Sequence, residues 1–444
     1  MKPMFIVSCP IDTYSGYGAR ARDFVKALIK LDEYDVKVLP QRWGSTPWGF
    51  IDNHPEWHFL HPHLLPMGNE LPKQPEIWCQ ITVPNEFQRV GKYNIGLTAG
   101  IETTGCHPSW IEGCNRMDLV LTSSTHSAKV FKEITFEQRN QQTNQVVGNY
   151  KLQKPLEILI EGANLDVYKP KKSQFNLSEI KEDFAYLFVG HWMQGNLGHD
   201  RKNVGLLVRL FFEAFKNVKK SPALILKTST VGTSYMDRNE ILKRIDIIRN
   251  DVKDAHTLPN VYLLQGEFTD EEMNEIYTHN KVKAMINLTK GEGFGRPLLE
   301  FSLTKKPIIT TNWSGHTDFL DKEFTTLLPG ELHQLDNSSV VKDVLMKEFQ
   351  WFGVDHTAAV TAIRDVFTNY KNYKEKSTLQ AYKSRDEFSF EQMVEQLKGY
   401  LKQYVPEFPK QLSLQLPKLN TPSNPTLPNL QLPKLKKQSF PNLK

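Results

Sequence analysis

Short apolar runs recur along this chain, and each is followed by a stretch with helical spacing. Met4 to Ser8 reads as a strand; Gly16 and Gly18 follow, then a helical pattern from Ala19 to Leu31 and a second strand near Val36–Leu39. Apolar segments at Ile77–Val83, Tyr93–Ile101 and Asp118–Thr122 continue the series, with helices expected from Ser109, a candidate N-cap, and over Ser127–Lys132. Strands that alternate with helices pair in parallel, because the helix carries the chain back to the same sheet edge, and the helices then cover both faces. The expectation is therefore an α/β chain built on parallel sheets.

A Gln- and Asn-rich stretch at 134–153 lacks apolar period and reads as a loop or linker. A second series then begins. Its strands are expected at Leu156–Ile160, Ala185–Val189, Ala223–Lys227, Val261–Leu264, Ala284–Leu288 and Pro307–Thr311. Its helices are expected at Val204–Phe215, Arg238–Asn250, Asp270–Tyr277 and Pro297–Leu303, and residues 357–401 are helical by pattern. A length of 444 residues accommodates two substantial domains.

Residues 405–444 differ in character. Prolines recur there, and Gln-Leu-Pro-Lys-Leu occurs at 415–419 and again at 431–435, a composition that forbids helix and sheet and predicts a disordered tail. Six lysines and one acid, Glu407, lie in this stretch, which accounts for the whole formal charge of +5. The body is formally neutral and offers no global argument for nucleic acid; the tail reads as a solvated extension or assembly tether, or as a segment for DNA or an acidic partner. Cys9, Cys79, Cys106 and Cys114 show no paired metal spacing and fit a reducing compartment, so a cytoplasmic location is expected. The N-terminus reads as a strand rather than a leader, and no apolar run approaches the ~20 residues of a membrane span.

The densest chemistry lies in Gly291-Glu292-Gly293-Phe294-Gly295-Arg296-Pro297-Leu298-Leu299-Glu300. It follows Val282–Leu288, apolar enough for a buried strand, and leads into a helix opening on Pro297, whose missing N–H costs nothing there. A strand, a glycine loop and a helix N-terminus let bare backbone approach a ligand and favour negative charge. Glu292 and Glu300 cannot hold that charge, but each can accept hydrogen bonds from hydroxyls. Phosphate-friendly backbone beside hydroxyl-friendly carboxylates suits a sugar nucleotide. By themselves the two glutamates also fit the surface of an ordinary helix.

Other segments supply candidates, each with a plainer reading. Arg201 and Lys202 precede the Val204–Phe215 helix, where cations oppose the helix dipole unless an anion binds; they can also be solvated charges. Gly16 and Gly18 form a strand-to-helix turn, structural or ligand-facing, and Arg20 and Arg22 in the next helix can assist or be solvated. Glu102 and His107 follow the strand Tyr93–Ile101, where a sheet's carboxyl edge faces a crevice, although a lone histidine often has a packing or capping role.

Segment 284–320 resembles the donor-binding signature of retaining glycosyltransferases of family four, which have the GT-B fold of two Rossmann-like domains facing a central cleft. The residues carrying the resemblance are Glu292, Glu300, Lys306-Pro307-Ile308-Ile309 and Ser314-Gly315-His316. Ile160-Glu161-Gly162-Ala163-Asn164-Leu165-Asp166-Val167-Tyr168-Lys169-Pro170 is similar to the family's opening of the second domain. Phe188-Val189-Gly190 with Arg201-Lys202-Asn203 resembles its diphosphate-holding elements, and Gly266-Glu267-Phe268 its loop beside the base. The resemblance covers 155–400 and is thinner before it.

It implies an N-terminal acceptor-side domain over 1–150 and a nucleotide-sugar domain over 155–370. C-terminal helices over 371–404 would cross back to the first domain, ahead of the 405–444 tail. It further implies that Glu300 binds the ribose hydroxyls, that Glu292 lies near the donor sugar, and that Gly293, Phe294 and Gly295 approach sugar or phosphate. Arg201, Lys202, Gly16 and Gly18 would serve the diphosphate, and Glu102 and His107 the transferred sugar. The implied activity is retaining hexosyl or pentosyl transfer from a nucleoside-diphosphate sugar to a glycan or polysaccharide hydroxyl, with no metal or other cofactor. Two alternatives stand beside it: a glycosyltransferase acting on hydroxymethylated DNA bases, and a non-catalytic sugar-nucleotide-binding scaffold.

Overall fold

The computed structural model describes residues 2–409 except 67, 69, 70, 72, 141 and 231. The tail expected to be disordered lies outside the described residues from 410 onward.

In the first lobe, β1 (Met4–Cys9) leads into α1 (Gly16–Leu31), and β2 (Asp35–Pro40) into the short α2 (Phe50–Asn53). Then come β3 (Ile77–Ile81), β4 (Tyr93–Thr98), α3 (Pro108–Arg116), β5 (Leu119–Thr122) and α4 (Thr125–Glu133). An antiparallel hairpin of β6 (Phe136–Arg139) and β7 (Val146–Tyr150) precedes β8 (Leu156–Ile158). Six strands form a parallel sheet in the order β2-β1-β3-β4-β5-β8. Val7 pairs with Val38 on one side and Cys79 on the other, and all three are buried between layers, as a two-sided sheet requires.

The second lobe runs through β9 (Ala185–Val189), α5 (Val204–Phe215), β10 (Ala223–Lys227), α6 (Tyr235–Asp251), β11 (Val261–Leu264) and α7 (Asp270–Thr278). It continues with β12 (Val282–Asn287), α8 (Arg296–Ser302), β13 (Ile308–Thr311) and β14 (Thr326–Leu328). Its parallel order, β11-β10-β9-β12-β13-β14, is the 3-2-1-4-5-6 order of doubly wound sheets. Order reverses between β9 and β12, so the loops leaving these two strands flank the crevice where such sheets bind ligands. A second hairpin, β15 (Gly330–Gln334) with β16 (Gln350–Val354), follows.

Three helices close the described chain: α9 (His356–Thr368), α10 (Tyr370–Glu387) and α11 (Phe390–Tyr404). The last packs on α1, burying Phe390, Met393, Val394, Leu397 and Leu401 in the first lobe's core. The chain crosses between lobes twice at one place, where Ala163 N–H donates to Phe388 O and Phe390 N–H to Ala163 O, both at 2.9 Å. No helix among the described residues is long and apolar enough to cross a membrane.

Several expectations need correction. The 134–153 stretch is a hairpin, exposed on its strands and therefore without apolar period. The segment expected to open the second sheet is β8, which pairs with β5 and completes the first. The helix expected from Ala19 starts at Gly16, because the Ser15 hydroxyl accepts from Gly18 N–H at 2.9 Å and caps it there. Ser109 is not the cap of α3: His107 occupies that position and Pro108 follows it.

Candidate active site

The glycine loop leaves β12 and ends on α8, as strand and proline placement predict. Gly295 precedes the helix with φ of 99°, a left-handed conformation that favours glycine. Within the loop Glu292 is buried, with 5% of its surface exposed. Its backbone is fixed at both ends, by Glu292 N–H to Ser314 Oγ at 2.8 Å and by Gly315 N–H to Glu292 O at 3.0 Å.

Arg201 and Lys202 approach the Glu292 carboxylate from the turn ahead of α5. Lys202 Nζ lies 2.5 Å from Oε1 and 2.6 Å from Oε2. Arg201 Nη1 lies 3.6 Å from Oε2, donates to Gly291 O at 2.9 Å, and stands 3.5 Å from Glu102 Oε1 in the other lobe. Burial works against the Glu292 charge, yet Lys202 and then Arg201 hold its carboxyl down at about 2. Four of the expected residues (Glu102, Arg201, Lys202 and Glu292) thus form one charge cluster spanning the lobes.

Glu300 occupies a second cluster. Arg296 Nε donates to its Oε1 at 2.9 Å, and the Tyr277 hydroxyl donates to Oε2 at 3.3 Å. Burial pushes the Glu300 carboxyl up to about 7 against the pull of Arg296, with nearby Asp270 adding to the rise. Tyr168 O–H donates to Asp270 Oδ1 at 3.0 Å beside it.

The remaining expected residues sort by position. Gly16 begins α1 with nothing within 4 Å of where a Cβ would stand. Gly18 and Gly293 are instead glycines of close approach: a Cβ would meet Thr13 O at 2.3 Å and Ala99 O at 2.4 Å respectively. At Gly293 this contact joins the two lobes directly. The Phe294 ring does not face the cleft; it packs on Phe319 at 5.0 Å between ring centres, inside the second lobe's core, so only its backbone remains for a ligand.

His107 is not brought to either cluster. Its Nδ1 accepts from Ser109 N–H at 3.2 Å as the cap of α3, and its Nε2 lies 3.5 Å from Asp343. Arg20 and Arg22 are buried rather than solvated, and their charges lie near Asp23 and Arg296 while their guanidinium groups bond backbone carbonyls. Arg20 donates to Ile160 O at 2.6 Å and to Leu159 O; Arg22 donates to Ile11 O and Thr13 O at 2.9 and 3.0 Å. His316 is fully buried and hydrogen-bonded through Nε2 to Thr311 O at 2.7 Å, in keeping with a packing role.

Sequence reasoning missed three contributors. Lys227 ends β10 at the sheet's carboxyl edge, in register with Val189, and Gly190 N–H donates to its carbonyl at 3.1 Å. His191 bonds Ser229 Oγ at 3.0 Å. Burial, with Lys227, Lys202 and Arg201 nearby, depresses its imidazole to about 4, so it is neutral at pH 7. A lysine terminating an apolar strand at the ligand edge was the readable signal. Arg296 was visible inside the motif; as a cation in a helix's first turn it meets the same dipole objection that singled out Arg201 and Lys202.

Solved structures share this architecture. A glycosyltransferase from Rickettsia africae is 14% identical, covers 92% of this chain and 100% of its own, and superposes with a TM-score of 0.59. Sucrose-phosphate synthase from Thermosynechococcus elongatus is 11% identical over 91% of this chain and 99% of its own, with a TM-score of 0.56. HepE from Anabaena, solved with UDP and glucose, is 12% identical over 90% and 100%, also with a TM-score of 0.56. No protein-family profile matches the chain, and no curated protein sequence does. The fold is GT-B: two Rossmann-like α/β lobes, as the resemblance implies.

Proposed function

We propose that this chain is a glycosyltransferase that binds a nucleoside-diphosphate sugar between its lobes and moves the sugar, with retention, to an acceptor hydroxyl. The observation that carries this reading is the buried Lys202–Glu292–Arg201 cluster at the carboxyl edge of the second sheet, facing Glu102 of the first lobe.

In this reading the diphosphate competes for Lys202 and Arg201, with Lys227 close behind and the start of α1 at Gly16 opposite. Breaking the sugar–phosphate bond adds negative charge to the leaving diphosphate. Cations already held in place stabilise that charge without reorganising, which is where most of the rate gain would arise. As Lys202 turns to phosphate, the Glu292 carboxylate is released to accept hydrogen bonds from the donor sugar. Glu292 is not assigned as a nucleophile: its role is polar positioning, and same-face attack assisted by the leaving phosphate gives retention. Glu102 is placed to accept a hydrogen bond from the acceptor, and Glu300 from the ribose. No metal is assigned, since Arg201 and Lys202 supply the positive charge that the leaving group needs. His107 receives no role.

HepE was solved with UDP and glucose, so UDP-glucose is the first donor to test. Release of UDP from the full chain, with the anomer of the liberated or transferred sugar followed by proton NMR, tests the reading. The α-anomer is expected as first product from an α-linked donor. First formation of the β-anomer would overturn retention, and the absence of release from every sugar nucleotide, with or without sugar acceptors, would favour the scaffold.

A further inference from the structure

Arg296 opens α8 and is shared between carboxylates of different lobes. Its Nε donates to Glu300 Oε1 at 2.9 Å, one turn along the same helix, and its Nη1 donates to Asp23 Oδ2 on α1. Both acids are nearly buried, at 6% and 7% exposure. A guanidinium at a helix N-terminus is unfavourable on its own helix. Burial also works against its charge, yet Asp23 and Glu300 hold it firmly protonated. One of the two anions that offset these costs comes from the other lobe, so the full arrangement exists only with the lobes closed.

The geometry at Glu300 has a second feature. An ionised carboxylate offers roughly four acceptor positions. Arg296 and Tyr277 each use one, on different oxygens. Two remain, the number that the adjacent hydroxyls of one ribose require. Arg296 therefore does not block this carboxylate; it orients it and holds its charge.

We infer that Arg296 is a positioning residue that couples lobe closure to recognition of the donor's nucleoside: Asp23 orients the guanidinium across the cleft, and the guanidinium aligns Glu300 for the ribose diol. The inference rests on the proposed donor site. It makes donor affinity depend on a residue of the first lobe, Asp23, through its bond to Arg296. Opening the lobes removes the Asp23 contact, leaves Glu300 less well held, and favours release of the spent nucleotide.

The test is calorimetric titration of the full chain with UDP, GDP and ADP, in parallel with small-angle scattering and donor-hydrolysis kinetics. The proteins compared are wild type, Asp23→Asn, Arg296→Lys, Arg296→Met and the Asp23→Asn/Arg296→Met double variant. Asp23→Asn is close to isosteric and leaves the Arg296–Glu300 pair in place. It is expected to weaken nucleotide binding by about tenfold, as loss of one partly desolvated ion pair does. It should raise the donor KM more than it lowers kcat, and enlarge the nucleotide-bound particle. Arg296→Lys should recover part of what Arg296→Met loses, and the double variant should bind no worse than Arg296→Met alone. If wild type binds nucleotide and Asp23→Asn binds it within twofold, with unchanged dimensions, the coupling is wrong while the donor site stands. If wild type binds none of the three, the donor site fails and the coupling with it.

Discussion

The Lys202 ammonium straddles the Glu292 carboxylate, at 2.5 and 2.6 Å from its two oxygens, although the residues lie on loops leaving different strands of the second sheet. The lysine is thereby held where a leaving diphosphate would need it. Lys202→Ala should lower turnover of the donor by about a hundredfold or more, the range found when one preorganised charge-stabilising donor is removed. Donor-hydrolysis rates under saturating sugar nucleotide measure this directly. A loss confined to KM would instead mean that Lys202 contributes only ground-state binding.

The same pair predicts an acid limb of stability. The Glu292 carboxyl is held at about 2 against an ordinary value of 4.5. A depressed folded-state pKa contributes stability that is fully present above about pH 4.5 and lost as the pH falls towards 2, worth roughly 3 kcal/mol by linkage. Glu292→Gln should be less stable than wild type at neutral pH, and the gap should narrow as denaturant titrations are taken through that window. A gap independent of pH would show that the ion pair is not its source.

Glu300 titrates in the opposite sense. Burial raises its carboxyl to about 7, so below that pH it is increasingly protonated and a poorer acceptor for two hydroxyls. Nucleotide affinity should rise between about pH 6 and pH 8, with proton release on binding at the lower end, visible as a dependence of the calorimetric heat on the buffer. Glu300→Gln should bind more weakly and lose the slope. For stability alone the sign is reversed: a raised carboxyl makes the folded state less stable as the pH climbs from about 4.5 to 7.

Much of the fold was legible, for reasons that also explain what was not. The expected bounds of β9, β10, β11 and α5 match those observed, because the buried strands β9 and β10 and the half-buried edge strand β11 are continuous apolar runs and α5 carries a full helical period. The β8 segment looks the same whichever sheet it joins; its partner, β5, is set by packing, not by its own residues. The β6–β7 hairpin, with its exposed strands, had no buried face to reveal it; of the second hairpin, β15 is exposed and only β16 turns Trp351, Phe352 and Val354 inward. At the site, Glu292 and Glu300 could be read locally because strand, glycine loop and helix sit together in the sequence. The Arg296–Asp23 contact spans 273 positions and arises only when two lobes meet.

The crossing of α11 onto the first lobe sets where the chain can be cut. Phe390, Met393, Val394, Leu397 and Leu401 are buried in the first core, and Val405 and Phe408 pack beside them. Each large apolar side chain removed from such a place costs ~1.5–3 kcal/mol, and five together exceed half the stability of a typical domain. A chain ending at 409 should fold and keep donor turnover, whereas one ending at 388 should be insoluble or molten. Soluble, active protein from the shorter chain would contradict the packing of α11 as an essential part of the first lobe.

The most direct test of the account is calorimetric titration of wild type and Glu300→Ala with nucleoside diphosphates. One nucleotide is predicted to bind wild type with one-to-one stoichiometry, and to bind Glu300→Ala at least tenfold more weakly, as loss of hydrogen bonds to a charged acceptor requires. If no nucleotide binds wild type, or if the variant binds as tightly, the cleft between the lobes is not a sugar-nucleotide site of the kind proposed.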